Sequence, residues 1–442
     1  MLIMKFGGTS VGSSERIREV GRLINNSIPK IVVLSAMEGV TNILVEICNH
    51  FRNHNPQGAH SLIETLEEKY KGVIESLYSS PKVKKEILAY VRKKLDYIES
   101  FKEELFSDFE EKCILALGEL ISTEMMKAHL EEVGCKVVKL PALDFMVTNK
   151  YGEPDLERIT TSIKKLLSHH PDTTLFLTEG YICRNAYAEI DNLKRGGSDY
   201  TASILGACVE AEEVQIWTDI DGMHNNDPRI VDGTSPVRNL HFDEAAELAY
   251  FGAKILHPTC IHPAKMQNIP VRLLYTMDPS APGTLISNVI EPEKIKAVAV
   301  KDNITAIKVL STRLLLAHGF LGRVFEVFER HQTAIDLVTT SEVAVTVAID
   351  NQSRLEEILS ELKRFASVSV DNNMSIICIA GDLNWKNVGF EADIIKALED
   401  IPVRMISYGG SNHNVSVVVR TEDKIQALRQ LSKHLFSPKL ES

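Results

Sequence analysis

The first 290 residues alternate short apolar runs with longer amphipathic stretches, and this alternation constrains the fold more than any other feature of the chain. The apolar runs are LIMKF (2–6), IVVLSA (31–36), KVVKL (136–140), TLFLTEG (174–180), VQIWTD (214–219) and VRLLY (271–275). Residues 14–24, residues 242–252 and the segment after Asp199 have helical spacing. Strands that alternate with helices favour a largely parallel sheet covered by helices. We therefore predict an α/β domain over residues 1–290.

One long polar stretch interrupts this alternation. Between Pro81 and Lys112 the apolar residues recur at helical spacing, and Ser80 with Pro81 provides an N-cap and a first helical residue. We predict a single long amphipathic helix here, inside a helical insertion at about residues 60–115. Its charges are expected to form a solvated face.

The last third of the chain contains an internal duplication. ITAIKVLSTRLLLAHGF (304–320) and MSIICIAGDLNWKNVGF (374–390) have the same length, and each is an apolar strand, a loop and the start of a helix. Both copies continue through two strands to a second helix, at 353–365 and 422–436, with a last strand expected after it. This order predicts two ferredoxin-like βαββαβ domains, at 300–372 and 373–442, after a Pro-rich hinge at 277–284.

Charge and cysteine content exclude several function classes. The chain has 49 Lys and Arg residues against 60 Asp and Glu, a net charge of −11, which disfavours binding to nucleic acid or to anionic membranes. Its seven cysteines are scattered without a C-x-x-C pair, as in proteins of reducing compartments. With no signal-peptide pattern at its start, we expect a cytoplasmic protein, and we predict no metal site built from protein ligands.

The segment KFGGTSV (5–11) has the composition of a phosphate-binding loop. Gly7 and Gly8 allow the backbone to approach a phosphate, the amides of a following helix attract anions, and Lys5 adds a positive charge. The lysine precedes the glycines, unlike in a P-loop. The alternative is a solvated lysine at a strand end beside a tight turn.

A second glycine pair, in KRGGSDYTA (194–202), stands before another predicted helix, with Arg195, Ser198 and Asp199 around it. Asp199 alone would be read as a helix cap. Two glycine loops at strand-to-helix junctions of one domain suit a nucleotide facing its acceptor. Two further motifs are WTDIDGMHNNDPR (217–229), a polar loop after a strand, and FGAKILHP (251–258), with Lys254 in an apolar helix end. Taken alone, the first would be an ordinary turn, and the second a lysine that extends its ammonium to solvent.

Six motifs follow one another along the chain in this order: KFGGTSV, SAMEGVTN (35–42), LGELIS (117–122), RGGSDYTA, IWTDIDG with NDPR, and FGAKILHP. In these motifs and their order the chain resembles the aspartate kinases, which have the amino acid kinase fold and end in paired ACT domains. The resemblance covers the whole chain. It implies transfer of a phosphoryl group from ATP with Mg²⁺ to the side-chain carboxylate of L-aspartate, giving 4-phospho-L-aspartate, the first step of lysine, threonine and methionine biosynthesis. A carboxylate is already ionised at neutral pH, so no general base is needed.

The resemblance also implies roles for individual residues. Lys5 and Asp199 would be catalytic, with the carboxylate orienting the ammonium. The aspartate would be bound by Ser35, Thr41, Glu119, Arg195 and Ser198, with Arg195 on its α-carboxylate and Glu119 on its ammonium. The nucleotide would be bound by Lys5, Gly7, Gly8, Thr9, Ser10, Thr218, Asp219, His224, Arg229, Lys254 and Ile255. His224 departs from the family, in which tyrosine is common at this position.

Residues 315–345 resemble the first ACT domain of lysine-inhibited members, whose effector lies between subunits. This implies a homodimer or tetramer formed through the ACT domains, with lysine or threonine as effector. The effector residues would be Leu314, Gly319, Phe320, Leu321, Ile335, Asp336, Thr340 and Ser341, with Asp336 on an amino group. Leu316 and Ala317 replace a His and a Ser of those relatives.

Two alternatives remain open at this point. One is a different amino acid kinase, such as a glutamate or uridylate kinase, against which Arg195, Glu119 and the ACT pair argue. The other is a non-catalytic amino-acid sensor with a relic kinase domain, which would have no reason to keep both Lys5 and Lys254.

Overall fold

The computed structural model describes residues 1–103, 106–193, 196–253, 256–310 and 319–436. They form two compact units, one of Met1–Met223 with Leu256–Asn288 and the other of His224–Ile255 with Val289–Ser442. Among the described helices, none combines the length and apolarity needed to cross a bilayer.

The described strands and helices follow one another along the whole chain. The strands are β1 Leu2–Phe6, β2 Lys30–Leu34, β3 Val138–Lys139, β4 Leu175–Glu179, β5 Ile182–Arg184, β6 Ile190–Asn192, β7 Glu213–Thr218, β8 Asn239–His241, β9 Val271–Tyr275, β10 Thr284–Ser287, β11 Ile295–Leu310, β12 Leu337–Thr340, β13 Ala344–Ile349, β14 Ser367–Gly381, β15 Val403–Ser407 and β16 Asn414–Arg420. The α-helices are α1 Ser14–Ile24, α2 Val40–Arg52, α3 Pro56–Leu77, α4 Pro81–Glu99, α5 Asp108–Leu115, α6 Leu117–Glu132, α7 Leu156–Ser168, α8 Gly197–Val209, α9 Phe242–Tyr250, α10 Pro258–Met266, α11 Phe320–Arg330, α12 Leu355–Leu362, α13 Phe390–Ala397 and α14 Lys424–Phe436.

The first unit is built on a largely parallel sheet, as the sequence predicted. Its strands lie in the order β3-β4-β2-β1-β7-β9-β10, and only β10 runs antiparallel to its neighbour. Each of the six predicted apolar runs overlaps one of these strands, with β2 and β7 beginning one residue before the run. The unit is therefore a parallel-rich α/β domain, in which loops that follow adjacent strands meet at one edge.

The central strands of this sheet are buried on both faces. In β2, the residues Ile31, Val32, Val33 and Leu34 are all 0% exposed. Val32 and Leu34 belong to a core cluster with α1–α6, whereas Ile3 of β1 faces Gly206 of α8. Because successive strand residues point to opposite faces, helices cover the sheet on both sides.

The helical insertion consists of α3, α4 and α5 rather than one long helix. Ser80 caps α4, as predicted, by accepting from the Val83 amide at 3.5 Å. The predicted continuation from Pro81 to Lys112 is wrong, because α4 ends at Glu99 and α5 begins at Asp108. Ser107 accepts from the Phe109 amide at 3.2 Å and donates its own amide to Glu110, so a capping box starts a new helix.

The second unit contains both copies of the duplication in one antiparallel sheet, in the order β12-β13-β11-β14-β16-β15. Asn303 and Asn373, at the same position of each copy, have left-handed backbone and divide the long central strands. The second half of β11 pairs with the first half of β14, and the first half of β11 pairs with the second half of β14. The first copy is therefore completed by the start of β14, residues 367–372, which follows α12 as predicted, whereas the second copy is completed by the start of β11.

Two equivalent side-chain hydrogen bonds also join β11 to β14. Ser375 donates to Asp302 at 2.7 Å, and Thr305, its counterpart in the first copy, donates to Asn372 at 3.3 Å. The strand that completes the second copy is residues 295–301, not a strand after α14. Residues 224–255 also group with this unit, so the predicted limits of 1–290, 300–372 and 373–442 do not coincide with the compact units, and they stay predictions.

Candidate functional site

A cavity of about 480 Å³ opens in the first unit where the loops after β1, β2 and β4 meet. It is lined by Lys5, Gly8, Thr9, Ser35, Ala36, Met37, Glu38, Gly39, Thr41, Asn42, Glu119, Tyr181, Gly196, Gly197, Ser198 and Asp199. Carboxyl ends of adjacent parallel strands are where ligands bind in open α/β sheets. Parts of four motifs that are far apart in the sequence are thus assembled in one place.

Lys5 and Asp199 form an ion pair in this cavity. The distance from Lys5 Nζ to Asp199 Oδ1 is 2.7 Å, and their side chains are 12% and 15% exposed. Lys5 is the last residue but one of β1, and Asp199 lies in the first turn of α8. Since β1 is flanked by β2 and β7, the backbone that carries the lysine is fixed on both sides.

The loop after β1 lies very close to the loop after β2. A Cβ atom on Gly8 would be 2.8 Å from the carbonyl oxygen of Ala36, so only glycine fits without a backbone shift. The Glu38 amide donates to the Gly8 carbonyl at 3.1 Å, which joins the two loops. This contact explains the second glycine of the KFGGTSV motif.

Two α-helices begin at the cavity without a side-chain cap. α2 follows Gly39 and α8 follows Gly196, and both glycines have left-handed backbone and give no side-chain hydrogen bond to the helix. The first-turn amides of such helices have no partner within the helix and carry partial positive charge. They suit anionic groups of a ligand.

Glu119 is an acidic residue in the first turn of α6 and is only 4% exposed. Burial raises the pKa of this carboxyl to about 8, and the negative charge of Glu179 adds to the increase, whereas an Ala36 backbone hydrogen bond and the Lys5 charge oppose it. Its Oε2 atom has no hydrogen-bond partner. A buried acceptor without a partner in a cavity wall suits a cationic or donor group of a ligand.

The other predicted aspartate-binding residues that the structure describes, Ser35, Thr41 and Ser198, also line the cavity. The sequence interpretation missed Glu38, Asn42 and Tyr181 in the same wall. Glu38 stands inside the SAMEGVTN motif, and Tyr181 follows a predicted strand end, so position alone was a usable signal. Tyr181 has φ of 68°, an unusual backbone for a tyrosine, and its amide donates to Thr201 Oγ1 at 3.0 Å.

The predicted nucleotide-binding residues are distributed more widely. Gly8 and Thr9 line the cavity, whereas Ser10 is 2% exposed and its hydroxyl bonds to that of Thr276 at 2.7 Å. The Gly7 amide donates to the Trp217 carbonyl at 3.3 Å. The loops after β1, β7 and β9 are therefore linked to each other.

Thr218 ends β7 in the first unit, and its hydroxyl donates to the carboxylate of the next residue, Asp219, at 3.1 Å. His224 and Arg229 belong to the second unit, where Arg229 forms two bonds to Asp227 at 2.9 and 2.7 Å. A common nucleotide site for these four residues stays a prediction. Three further predicted residues, Arg195, Lys254 and Ile255, lie outside the described residues.

The predicted effector residues that the structure describes lie in the second unit. Gly319 precedes α11 without a side-chain cap, Phe320 is buried and contacts Phe365, and Leu321 is exposed. Thr340 ends β12, and the Ser341 amide donates to the Ala344 carbonyl at 2.8 Å. Ile335 is half-buried beside the buried Asp336 carboxylate, whereas Leu314, Leu316 and Ala317 lie outside the described residues.

Among the described residues, one group has metal-ligand geometry, namely His241, Asp243 and His413 of the second unit, with ligand atoms within 4.8 Å of one another. His241 also caps α9 by accepting from the Asp243 amide at 3.2 Å. This cap explains the position of His241 without a metal.

Comparison with known proteins agrees with the sequence resemblance. The amino acid kinase family model matches residues 1–275, and an ACT domain model matches residues 377–435. The lysine-sensitive aspartokinase 3 of Escherichia coli is 31% identical over 99% of both chains. The crystal structure of E. coli aspartokinase III in complex with aspartate and ADP, the R-state, is 30% identical, with a TM-score of 0.84, and covers 99% of this chain and 100% of that one. The complex with lysine and aspartate, the T-state, is 31% identical with a TM-score of 0.81 at the same coverage.

Proposed function

The chain belongs to the amino acid kinase family, as an aspartokinase, and from this premise we propose that its cavity transfers the γ-phosphoryl group of ATP to the side-chain carboxylate of L-aspartate. The observation that carries the proposal is the meeting of Lys5, Asp199 and Glu119 in one cavity of the first unit. The E. coli relative that shares the fold was solved with aspartate and ADP.

Each of these groups has a task in that reaction. The acceptor carboxylate and the phosphates of ATP are both anions, so the enzyme must bring like charges together, and phosphoryl transfer depends mainly on positioning and on positive charge around the transferring group. Lys5 supplies that charge, and Asp199 holds its ammonium in one direction. The starts of α2 and α8, which no side chain caps, add partial positive charge at the cavity.

Glu119 would bind the ammonium of aspartate. The carboxyl is buried, and one of its oxygens has no partner, so a substrate ammonium would complete an incomplete site. Ser35, Thr41 and Ser198 offer hydroxyl groups in the same cavity. Arg195 would bind the α-carboxylate, a bidentate contact suited to a guanidinium.

Nucleotide binding follows from membership of the kinase family. We further propose that the nucleotide binds together with Mg²⁺. The described part of the cavity wall has hydroxyl oxygens and the carboxyl groups of Glu38, Glu119 and Asp199, of which Asp199 is paired with Lys5 and Glu119 is buried with a raised pKa. This donor set fits a Mg²⁺ ion held chiefly by phosphate oxygens and water. Thr218, Asp219, His224, Arg229 and Lys254 would contact the nucleotide, as the sequence motifs predict.

The ACT domain fits feedback regulation by an amino acid, and lysine is the effector we propose. The lysine-bound E. coli structure has the same fold, and Asp336 supplies a buried carboxylate for an amino group. α11 begins without a side-chain cap, so its first amides suit the effector carboxylate. As the family resemblance implies, the effector would lie between two subunits of a homodimer or a larger homo-oligomer.

The experiment is trapping of the acyl phosphate with hydroxylamine. Purified protein with MgATP and L-aspartate should give aspartyl hydroxamate, and L-lysine should lower the yield. No hydroxamate from the wild-type chain would reject the kinase and favour an amino-acid sensor, whereas hydroxamate with glutamate but not aspartate would favour a different kinase. A hydroxamate yield that neither lysine nor threonine changes would still support the kinase activity but would reject the proposed feedback inhibition.

A further inference from the structure

The Asp336 carboxylate is fully covered within the second unit. Its side chain is 1% exposed, and its Oδ1 atom accepts hydrogen bonds from Lys301 Nζ at 2.7 Å and from the Tyr250 hydroxyl at 2.9 Å. Its Oδ2 atom is buried without a hydrogen-bond partner. Because the side chain is almost fully covered, an ammonium group from outside can reach this carboxylate only after a local rearrangement, and Oδ1 becomes available only if Lys301 or Tyr250 moves.

The two groups bonded to Asp336 Oδ1, Lys301 and Tyr250, differ in how easily a ligand could displace them. Lys301 also pairs with Asp350 at 2.9 Å, so its charge stays neutralised if Asp336 changes partner. For the Tyr250 hydroxyl, the described hydrogen bond is the one to Asp336, while its ring lies 4.7 Å from Lys301 Nζ. A cationic ligand of Asp336 would therefore displace the neutral hydroxyl at the lower electrostatic cost.

Tyr250 is the last residue of α9, and the turn after it packs tightly on the sheet. Gly252 has φ of +109°, and a Cβ atom there would be 2.0 Å from the Val300 carbonyl oxygen, next to Lys301. The end of α9 is thus held at two points, the Tyr250 hydroxyl and the Gly252 backbone. Along the sequence, Lys254 comes two residues later, and it is predicted to contact the nucleotide phosphates.

The second copy of the duplication has the same pair with reversed charges. Leu337 pairs with Ala348 in the first copy, and Met405 pairs with the equivalent residue, Val418, in the second. The residues just before them, Asp336 and Arg404, are therefore equivalent. Asp371 corresponds to Lys301, and the distance from Arg404 Nε to Asp371 Oδ2 is 2.7 Å. An ammonium group is attracted by the first copy and repelled by the guanidinium of the second.

We propose that the ammonium group of an amino-acid effector and the hydroxyl of Tyr250 compete for the Asp336 carboxylate. The inference rests on the proposed function, because the effector is the feedback ligand proposed there. The effector binds the state in which Tyr250 has left Asp336, so its binding releases the hydroxyl that holds the end of α9.

The test is the variant Tyr250→Phe, which removes the competing hydroxyl and keeps the ring on Lys301. Titration calorimetry with L-lysine should show binding at least about fivefold tighter than in the wild-type chain, the size expected when a hydrogen bond to a charged group is lost from the competing state. A merely structural role for Tyr250 would not tighten lysine binding.

Two other variants complete the test. Tyr408→Phe is the matched control, because it removes a tyrosine hydroxyl that donates to the neutral Leu383 carbonyl at 3.3 Å, and it should leave lysine binding unchanged. Asp336→Asn should abolish lysine binding. Lysine binding that is unchanged or weaker in Tyr250→Phe, or unchanged in Asp336→Asn, would overturn the inference. Calorimetry measures this without turnover, so failure of the kinase assay alone would reject the proposed function and not the competition.

Discussion

Lys5 Nζ lies 2.7 Å from Asp199 Oδ1, although the two residues are 194 positions apart in the chain. One comes from the end of a central strand and the other from the first turn of a helix on that sheet. The pair fixes the direction of an ammonium group in a cavity that also contains Glu119. Both loops that carry it were recognisable as glycine motifs, and their contact is what makes them one site.

Replacing Lys5 tests the catalytic charge. Lys5→Ala should lower kcat for aspartyl hydroxamate formation by about 100-fold to 1000-fold, the usual loss when a group that stabilises transition-state charge is removed. Half-saturation by aspartate should change much less. The control is Lys164→Ala, an exposed lysine paired with Glu210, which should keep full activity. Equal yields from both variants would exclude Lys5 from the reaction.

Glu119 should make aspartate binding depend on pH. Its pKa is raised to about 8 by burial, so below pH 8 the empty site holds a protonated carboxyl that cannot pair with an ammonium. The aspartate concentration for half-saturation should fall by up to tenfold per pH unit as the pH rises toward 8, and then level off. Glu119→Gln should bind aspartate more weakly and show no such slope. A slope that survives in this variant would assign it to another group.

The same carboxyl should affect folding stability in the opposite direction. Because the folded pKa of about 8 exceeds the ordinary 4.5, the folded state keeps a proton that the unfolded state loses. Stability is therefore unaffected below about pH 4.5, falls as the pH rises toward 8, and carries the full cost above it. Glu119→Gln should be more heat-stable than the wild-type chain at pH 9, with the difference shrinking toward pH 5. A constant difference across this range would contradict the assignment.

The close approach of the first two loops can be tested with a matched pair of glycines. Gly8→Ala should reduce hydroxamate formation by tenfold or more and lower the melting temperature, because the new Cβ atom would be 2.8 Å from the Ala36 carbonyl oxygen. Gly72→Ala, in α3 with no atom within 4 Å, should instead raise stability by up to about 1 kcal/mol. Similar behaviour of the two variants in thermal denaturation would argue against the tight contact.

Arg195 lies outside the described residues, and its role is testable by kinetics. Arg195→Lys should raise the aspartate concentration for half-saturation about tenfold and leave that for ATP nearly unchanged, since a bidentate grip becomes a point contact. A change in the ATP requirement alone would reassign the residue to the nucleotide.

Local patterns predicted the fold class and several of its elements. Each apolar run overlaps a strand, α1 begins and ends at the predicted residues, and Ser80 caps α4. Such features depend on a few adjacent residues, so the sequence shows them directly. The capping box at Ser107 is also visible in the sequence, as S-x-x-E, and it marks the start of α5. The apolar spacing between Pro81 and Lys112 predicts one continuous helix and conceals this boundary.

Long-range pairing was not predictable in the same way. Equal segment lengths revealed the duplication, yet the strand that completes the second copy, residues 295–301, precedes the first copy in the sequence. It joins the second copy only by pairing with the second half of β14, and local spacing does not indicate that pairing. The pairing of Asp336 with Lys301 and Tyr250 likewise joins residues from three separate segments.

The sequence by itself determined the order of strands and helices, the two glycine loops and the residue types available for phosphoryl transfer, because these follow from short-range spacing and from charge. Only the tertiary structure decided which of these residues meet. It placed Lys5 against Asp199, left one oxygen of Glu119 without a partner, and covered the Asp336 carboxylate with Tyr250. The physical reason is that burial and ion pairing depend on contacts between distant segments, and these contacts set the charge and the reach of each group.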